Sequence, residues 1–395
     1  MDSFIGVQSG ALWREEVLST GEVNVVTVTN SGEWVFKGVD GRYSIAFTKI
    51  AKTPSSEKDV TLSGPFFNLV SFENERDNVG HLSIELLKRA SGVASFPQLP
   101  DSTSVTIFNK LGQSVLIGSG IAGATFQPVY EFNATTDRPI FDAGGPKEGR
   151  WPVCGGSSFD IWTPEKGEAY AWADPKKAQK ELQSKRGRQI RLKSSAFYRM
   201  DEKWASDEVT LPCRNVRIAF RDVTNATNTR TCIAALLPPN IFLTNKAPYL
   251  FRIGGDERTE AFVLGVLSSV PLDWYARRYV ELGMNFHIFN GLPMPSSDRS
   301  DSRCHKLIEN SGRLAAVDER FADWAKAAGV KVGSVKTETE KELLIAENDA
   351  LVAHLYGLTR EQVEHLFKTF HRGWDYTSRL TQVLAFYDKL SKVKS

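Results

Sequence analysis

The chain has 395 residues, 41% of them hydrophobic, and a formal net charge of +2. This length allows two or three domains, and a charge so close to zero excludes a uniformly basic coat for nucleic acid but allows local concentrations of charge. The four cysteines form no C-x-x-C pair, no apolar run reaches the ~18 residues of a membrane span, and the N-terminus lacks a secretion signal. We expect a cytoplasmic protein that is not bound to a membrane and has no disulfides or zinc site.

Residues 1–135 are predicted to be β-rich. Residues 23–28 and 43–47 carry the β-branched and aromatic side chains typical of strands, and turn residues separate them. Residues 83–90 have apolar side chains at helical spacing, which predicts a short helix. Residues 100–110 are interpreted as a surface connection.

A glycine-rich stretch follows. Gly118, Gly120 and Gly123 match the G-x-G-x-x-G spacing of dinucleotide-binding loops. Such a loop needs a helix that begins at the glycines, so that its N-terminus faces the phosphates, and an acidic residue about 20 residues later. Pro128 would end a helix here within a turn. We therefore predict a bend between two strands and no cofactor site in this chain.

Residues 133–150 are rich in glycine, proline, aspartate and threonine, which predicts a linker and a second domain over residues 136–298. Within that domain, residues 176–199 contain nine basic residues and one acidic residue, Glu181. Cationic side chains release counterions when they contact phosphates, and this supplies most non-specific DNA affinity. A solvated helix followed by an exposed loop would account for the same run of charge.

Base reading requires other side chains, because phosphates carry no sequence. Arginine can donate two hydrogen bonds to guanine, and asparagine or glutamine can form two with adenine. The residues that we predict to contact DNA are Lys185, Arg186, Arg188, Gln189, Arg191, Lys193, Arg199, Arg221, Asn225, Asn228 and Arg230. Two alternatives stay open: Asn225 and Asn228 could cap turns, and Arg230 could pair with Asp222 across a hairpin.

Two helices are predicted at residues 259–268 and 272–282, with aromatic side chains turned inward. The aromatic residues of this region are Trp274, Tyr275, Tyr279, Phe286 and Phe289. They could form a platform on which bases stack, but aromatic residues at helical spacing usually bury each other. We favour a buried core.

Residues 299–395 are predicted to form a helical module, because apolar residues recur there at helical spacing. Thr359 and Gln362 form a capping box that begins a helix at Arg360. His354, His365 and His371 lack the spacing of a helical zinc motif, so no metal site is predicted. The chain as a whole is predicted to be α+β, with a β-rich N-terminal part, a mixed α/β middle and a helical C-terminal module.

Four blocks, taken in order, resemble one family. Residues 218–240 (IAFRDVTNATNTRTCIAALLPPN) and 285–295 (NFHIFNGLPMP) are similar to the target-recognition portion of type IIG restriction-modification enzymes and of the large adenine-N6 DNA methyltransferases of phage-defence systems. Residues 30–47 resemble the hairpin that closes the methyltransferase domain of that family. Residues 347–370 resemble its helical segment after the recognition domain. The resemblance covers most of the chain and implies double-stranded DNA as a partner.

The tetrapeptide of adenine-N6 methyltransferases, Asn/Asp/Ser-Pro-Pro-aromatic, is missing. It holds the target amino group while an aromatic ring stacks on the flipped base, but the Pro238-Pro239 pair here lies between Leu237 and Asn240. The resemblance therefore implies the sequence-specific recognition portion of a methyltransferase or restriction-modification system. Methyl transfer from S-adenosylmethionine would take place in a partner chain or in a missing N-terminal half. We expect no methylation by this chain alone.

Two other classes of function remain open. A stand-alone specificity or adaptor subunit of a phage-defence complex would bind DNA without a methyltransferase partner, and the gene upstream discriminates between these possibilities. A complete small enzyme, such as a hydrolase that uses Asp160, Asp174 or Asp222, would need paired-carboxylate or nucleophile spacing. Those residues do not have it.

Overall fold

A computed structural model describes residues 10–39, 41, 44–52, 59–91, 95–142, 145–225, 228–280, 283–371 and 373–392. The α+β class predicted from the sequence is confirmed, since helices and several small sheets occur in these ranges. None of the helices described is long and apolar enough to cross a lipid bilayer. The same ranges hold no group of three or more His, Cys, Asp or Glu side chains that could bind a metal ion.

The strands are β1 (Glu22–Thr29), β2 (Ser44–Ala51), β3 (Asp59–Phe66), β4 (Gly80–Ser83), β5 (Val115–Leu116), β6 (Ala124–Val129), β7 (Phe141–Asp142), β8 (Trp151–Cys154), β9 (Ala171–Ala173), β10 (Arg217–Phe220), β11 (Ala234–Leu237), β12 (Phe242–Leu243), β13 (Tyr249–Gly254) and β14 (Pro293–Met294). The helices are α1 (Ala11–Thr20), α2 (Leu69–Glu75), α3 (Ile84–Ser91), α4 (Ser102–Gly112), α5 (Pro175–Gln189), α6 (Glu202–Ser206), α7 (Glu257–Leu267), α8 (Val270–Ala276), α9 (Phe286–Asn290), α10 (Ser302–Ala315), α11 (Ala322–Ala328), α12 (Glu338–Leu355), α13 (Arg360–Lys368) and α14 (Thr377–Ser391).

The N-terminal sheet has the strand order β2-β1-β3-β4. β1 runs antiparallel to β2 and parallel to β3. Val23 and Val25 of β1 face the core, as the two-residue period of a strand requires. The strands predicted at residues 23–28 and 43–47 are present as β1 and β2, although Tyr43 lies outside the described residues, and the predicted short helix is α3.

Residues 100–110, expected to be a surface connection, form most of α4, so this expectation was wrong. Asp101 caps the helix, because its Oδ1 accepts a hydrogen bond from the Ser104 amide at 2.7 Å. Ile107, Phe108 and Leu111 lie on the buried side of the helix. Their helical spacing, together with the aspartate before them, is the signal that the interpretation missed.

A second sheet, called here the central sheet, has the order β11-β10-β13-β6, and each strand is antiparallel to its neighbours. Both of its faces are covered. Ile218 and Phe220 of β10 join the main core with α7, α8 and α10, whereas Ala219 between them faces a second cluster. That second cluster includes Cys154 of β8 and Leu243 of β12. Strands covered on both faces are apolar throughout rather than alternating, and β10 and β11 follow this pattern after Arg217.

A third sheet, with the order β12-β8-β9-β7, packs with α5 and α6 against the central sheet. Part of the segment predicted to be a linker, residues 133–150, contributes β7, which pairs with β9. β6 pairs with β13, and β5 pairs with β14. The main core extends from Leu18 to Val383. Shared sheets and a shared core therefore join the three regions predicted from the sequence.

The C-terminal helices pack against the middle of the chain through α10 on α7 and α12 on α8, and α12 also packs against α14. The helix predicted at residues 259–268 is α7, and the capping box of Thr359 and Gln362 is present at the start of α13. The helix predicted at residues 272–282 begins earlier and ends at Ala276 as α8. A turn follows, in which the Tyr279 amide bonds to the Ala276 carbonyl at 3.0 Å.

Asp101 also joins α4 to α13. Its carboxylate lies 3.2 Å from Nε2 of His365, and the Ser104 hydroxyl lies 3.0 Å from the same nitrogen. A hydrolytic triad needs the serine and the aspartate on opposite nitrogens of the imidazole. Because both residues meet Nε2, the trio is a structural clamp.

The pKa of Asp101 predicts an acid-sensitive contribution to stability. Burial by itself raises this pKa, but hydrogen bonds from His365 and from the Ser104 amide lower it overall. A lowered folded-state pKa stabilises the protein above the ordinary carboxyl pKa of about 4, and this stability is lost as the pH falls through the folded-state value. We expect Asp101→Asn to lower the urea midpoint at neutral pH, and we expect its difference from the parent to shrink below about pH 4.

Urea unfolding over a pH series measures that difference. Asp77→Asn, in an exposed turn, is the matched control and should leave the midpoint unchanged at every pH. A difference between Asp101→Asn and the parent that stays constant into acid would contradict the assignment.

Candidate nucleic-acid interface

Four connections meet at one end of the central sheet. Ala219 of β10 pairs with Tyr249 of β13, which pairs with Val129 of β6, so the chain leaves β10 and β6 at the same end where it enters β13. The sheet end is defined here as Tyr130, residues 221–225 and 228–233, residues 244–248 and residues 283–290. The Asp222 amide donates to the Lys246 carbonyl at 3.2 Å, and the Met284 amide donates to the Asp222 carbonyl at 2.8 Å.

The polar turn between β10 and β11 is held by a carboxylate from α8. Arg230 Nε donates to Oδ2 of Asp273 at 2.6 Å, and its Nη2 donates to the Ser268 carbonyl at 2.8 Å. Asp273 is fully buried and also accepts hydrogen bonds from the amides of Thr231 and Cys232. The interpretation that Arg230 pairs with Asp222 was therefore wrong.

Two further arginines hold the same turn. Arg221 donates to the carbonyls of Gly156 at 2.6 Å and Phe159 at 3.0 Å, which ties the turn to the connection between β8 and β9. Arg277 donates to the carbonyls of Asn228 and Thr229 at 2.8 and 3.0 Å. Three guanidinium groups thus hold the polar turn in place. Arg221 and Arg230 donate their hydrogen bonds to groups inside the protein.

Asn225 and Asn228 shape the turn itself. Oδ1 of Asn225 accepts a hydrogen bond from the Asn228 amide at 3.1 Å, and Nδ2 of Asn228 donates to the Thr224 hydroxyl at 3.3 Å. These are the contacts of turn-capping side chains, as the alternative interpretation proposed. Both side chains are half-buried.

In the basic segment, Asp174 caps α5 through the Lys177 amide. Arg186 lies on the buried side of this helix and donates to the carbonyls of Ala205, Asp207 and Thr210 at 2.8–3.1 Å. Arg186 is buried because it belongs to the buried stripe of this helix. The stripe consists of residues that recur every four positions, namely Ala178, Leu182, Arg186 and Ile190. Lys185 is half-buried and pairs with Asp137.

The other cations of the segment face solvent. Arg188, Arg191, Lys193 and Arg199 are exposed, and Gln189 is half-buried. Arg188 lies 3.6 Å from Glu181, and Arg191 lies 3.4 Å from Glu202. Exposed pairs like these contribute little to stability because water screens them, so both guanidinium groups can exchange a carboxylate for another anion.

A surface groove of about 610 Å³ runs along the first turns of α5. Its lining includes the exposed cations Lys176 and Lys180, Gln183 and the ring of Trp151. Arg214 on its rim bonds to Gln179 at 2.8 Å and also pairs with Glu208. The groove extends the cationic surface of α5 from the C-terminal end of the helix to its N-terminal end.

The glycine-rich stretch does not fit a nucleotide or S-adenosylmethionine. Strand β6 follows it, where a cofactor loop would need a helix. A Cβ at Gly118 would lie 3.0 Å from the carbonyl oxygen of Asn290, so this glycine is needed for packing against α9. The bend between two strands predicted from the sequence is present.

The aromatic side chains of α8 and α9 mostly form the core. Trp274, Tyr275 and Phe289 are fully buried, so the buried core favoured from the sequence is confirmed for them and the alternative of a stacking platform is not. Phe286 is half-buried, and its ring lies 4.3 Å from that of Tyr130.

Seven of the eleven predicted residues fall into two groups. Arg188, Arg191, Lys193 and Arg199 form an exposed group at the end of α5, whereas Arg186, Arg221 and Arg230 hold the framework. Whether each predicted residue contacts DNA stays a prediction.

We did not assign Tyr130, Asp222 and Lys246 to the interface from the sequence, although all three lie at the sheet end. The signal that could have identified Lys246 is the short polar turn Thr244-Asn245-Lys246 between two apolar runs. Tyr130 directly follows β6, and Asp222 lies two residues after the end of β10, which is where polar side chains of a sheet end are found.

No protein-family model and no curated protein matches the chain. Among solved structures it is similar to the type IIL restriction-modification enzyme MmeI in complex with DNA, with 13% identity and a TM-score of 0.40 over 99% of this chain and 49% of that one. It is also similar to the type IIG restriction endonuclease BpuSI, with 11% identity and a TM-score of 0.27 over 98% and 46%. The chain spans about half the length of these two proteins.

Removal of the Asp273 charge tests how the polar turn is held. Asp273→Asn keeps the size of the side chain but leaves the buried Arg230 guanidinium without its counter-ion. Breaking a buried pair in this way costs about 3–5 kcal/mol. We expect the free energy of unfolding, from urea denaturation at neutral pH, to fall by about that amount, and hydrogen exchange of the Thr231 and Cys232 amides to become faster.

Asp77→Asn again serves as the control. A loss below about 1 kcal/mol for Asp273→Asn, the size of an exposed pair, would show that the turn does not depend on this carboxylate.

Proposed function

We propose that this chain is the sequence-specific DNA-recognition portion of a site-specific adenine-N6 DNA methyltransferase or restriction-modification system, and that it selects a short duplex sequence. The observation that carries the proposal is the exposure of Arg188, Arg191, Lys193 and Arg199 within a segment of nine basic residues and one acidic residue, in a chain whose net charge is only +2. Such a local excess of exposed cations suits contacts with phosphates.

The sheet end supplies the other requirement of sequence-specific binding. Phosphate contacts position a protein on the duplex, and base contacts specify the sequence. Base contacts need donors and acceptors held in one geometry by a second layer of hydrogen bonds. Arg221, Arg230 and Arg277 provide that layer beneath the polar turn.

Catalysis is proposed to lie outside this chain. The sequence lacks the tetrapeptide that holds the target adenine, and the glycine-rich stretch does not fit the cofactor. Transfer of the methyl group from S-adenosylmethionine would then take place in a partner chain or in a further part of a longer protein. The role of this chain would be to bring that chemistry to the selected site.

Selection from a random duplex library at about 0.15 M salt tests the proposal directly. The purified chain is used with and without the protein encoded by the gene upstream. We expect one short motif to be enriched in either mixture. Enrichment of no motif, with only salt-labile general binding or none, would overturn the proposal.

Substitution of the exposed cations of α5 should weaken binding to all duplex sequences alike. We expect the combined variant Arg188→Gln, Arg191→Gln and Lys193→Gln to reduce the slope of log K against log salt by about 1 for each lost phosphate contact. Fluorescence anisotropy with a labelled duplex over a salt series measures this slope. The motif selected from the library should not change, because phosphates carry no sequence.

The matched control is the variant Lys326→Gln and Lys331→Gln, which removes two exposed cations from α11 and the turn after it. This variant should keep the parent slope. If the α5 variant and the control have equal slopes, α5 does not contact phosphates.

A further inference from the structure

We infer that Asp222 and Lys246 together read one C·G base pair in the major groove, with the Asp222 carboxylate accepting from the amino group of cytosine and the Lys246 ammonium donating to guanine. The inference rests on the proposed function and adds two specificity-determining residues to it. Neither residue belongs to the set predicted from the sequence to contact DNA.

The backbone of Asp222 is fixed from two sides. Its amide donates to the Lys246 carbonyl at 3.2 Å, and its carbonyl accepts from the Met284 amide at 2.8 Å. The neighbouring Arg221 is anchored to Gly156 and Phe159. Three separate segments of the chain therefore determine where the Asp222 side chain begins, which is the rigid support that a base-reading residue needs.

The carboxylate of Asp222 has few partners compared with that of Asp273. Asp273 accepts hydrogen bonds from Arg230 and from two backbone amides. The described residues offer Asp222 one cation, Lys246, whose Nζ lies 3.6 Å from Oδ2. That distance is longer than an ordinary hydrogen bond, and the Lys246 side chain is 50% exposed. The Asp222 side chain is 14% exposed, so another donor would approach the pair from the side of Lys246.

The pKa of Asp222 agrees with a carboxylate that accepts few hydrogen bonds. Burial raises the pKa of Asp222, and Lys246 only partly opposes this effect. Few hydrogen bonds stabilise the charged form of this carboxylate, so the effect of burial on its pKa dominates. An amino group that approached Asp222 from a base would supply such a bond, and a hydrogen bond to a charged group is stronger than one between neutral groups.

The chemistry of the pair matches one base pair in particular. In the major groove, a C·G pair presents the N4 amino donor of cytosine beside the O6 and N7 acceptors of guanine. Aspartate accepts from cytosine N4, and lysine donates to guanine O6 and N7. An A·T pair also presents an amino group beside acceptors, but the side chains that suit it are asparagine and glutamine.

An aromatic pair lies at the same sheet end as Asp222. The rings of Tyr130 and Phe286 lie 4.3 Å apart, and Tyr130 is 43% exposed. Burial and the charge of Asp222 raise the pKa of Tyr130 to about 12, so its hydroxyl remains protonated at neutral pH. The Asp222 side chain is only 14% exposed, and a hydrogen bond is stronger in such a low-dielectric place.

Library selection with variants tests the inference. The parent chain, Asp222→Asn and Lys246→Gln are each used to select from the random duplex library. We expect the parent motif to contain a C·G pair at one position where both variants lose preference by roughly ten-fold or more. The other positions of the motif should be kept, because the remaining contacts are unchanged.

Glu309→Gln is the matched control, since Glu309 also pairs with a lysine, Lys306, at 3.2 Å but on α10. It should select the parent motif. If both Asp222→Asn and Lys246→Gln also select the parent motif, or if the position that changes is an A·T pair, the inference is overturned while the proposed function stands. If the parent selects no motif, the proposed function fails and the inference fails with it.

Thermal unfolding of each variant checks that it is folded. If Asp222→Asn does not fold, Lys246→Gln decides the question at the same position, because its half-exposed side chain can be replaced without burying a new group. In that case an unchanged motif for Lys246→Gln overturns the inference, and loss of the C·G preference supports it.

Discussion

A buried carboxylate, that of Asp273, fixes the surface on which recognition would depend. Placing an ionised carboxylate where water cannot reach it is costly unless donors surround it. Here the donors are the Arg230 guanidinium and the amides of Thr231 and Cys232. Because the ionised Asp273 carboxylate needs these donors, the polar turn packs against α8 and the main core. The register of β11 follows directly from the place where the turn ends.

The central sheet brings other segments of the chain next to the polar turn that Asp273 holds. Its strands are antiparallel throughout, so connections that are far apart in sequence meet at one end. Covering both faces of the sheet leaves that end and the edges as the places where polar side chains can reach solvent. Lys246 and Tyr130 come to the sheet end for this reason, although they lie 116 positions apart in the sequence.

The sequence predicted those parts of the fold that depend on local patterns. β-Branched side chains identified β1, the helix predicted at residues 259–268 is present as α7, and the capping box of Thr359 and Gln362 placed the start of α13. The partner of Arg230 could not be predicted in this way, since Asp273 lies on another element and nothing local selects it over Asp222. Residues 133–150 have the composition of a linker, yet β7 lies there and pairs with β9. Composition could not predict this strand, because it does not show which strand edges are free to pair.

Residue type alone also does not separate cations that hold the framework from cations that face a ligand. Arg186 and Arg188 lie on one helix, two residues apart, and successive residues of an α-helix are about 100° apart around its axis. They therefore point to nearly opposite sides. Arg186 continues the buried stripe of Ala178 and Leu182, and its donors are used by backbone carbonyls.

Arg188 faces solvent beside an exposed glutamate and can exchange that partner for a phosphate at little cost. The same division applies at the sheet end, where Arg230 is neutralised by a fully buried acid and Lys246 shares a looser contact with Asp222. Positions whose charges are already satisfied inside the protein carry the geometry, and positions whose charges are only partly satisfied are free to bind. The candidate interface is therefore defined by the completeness of each side chain's contacts, a property that only the folded chain reveals.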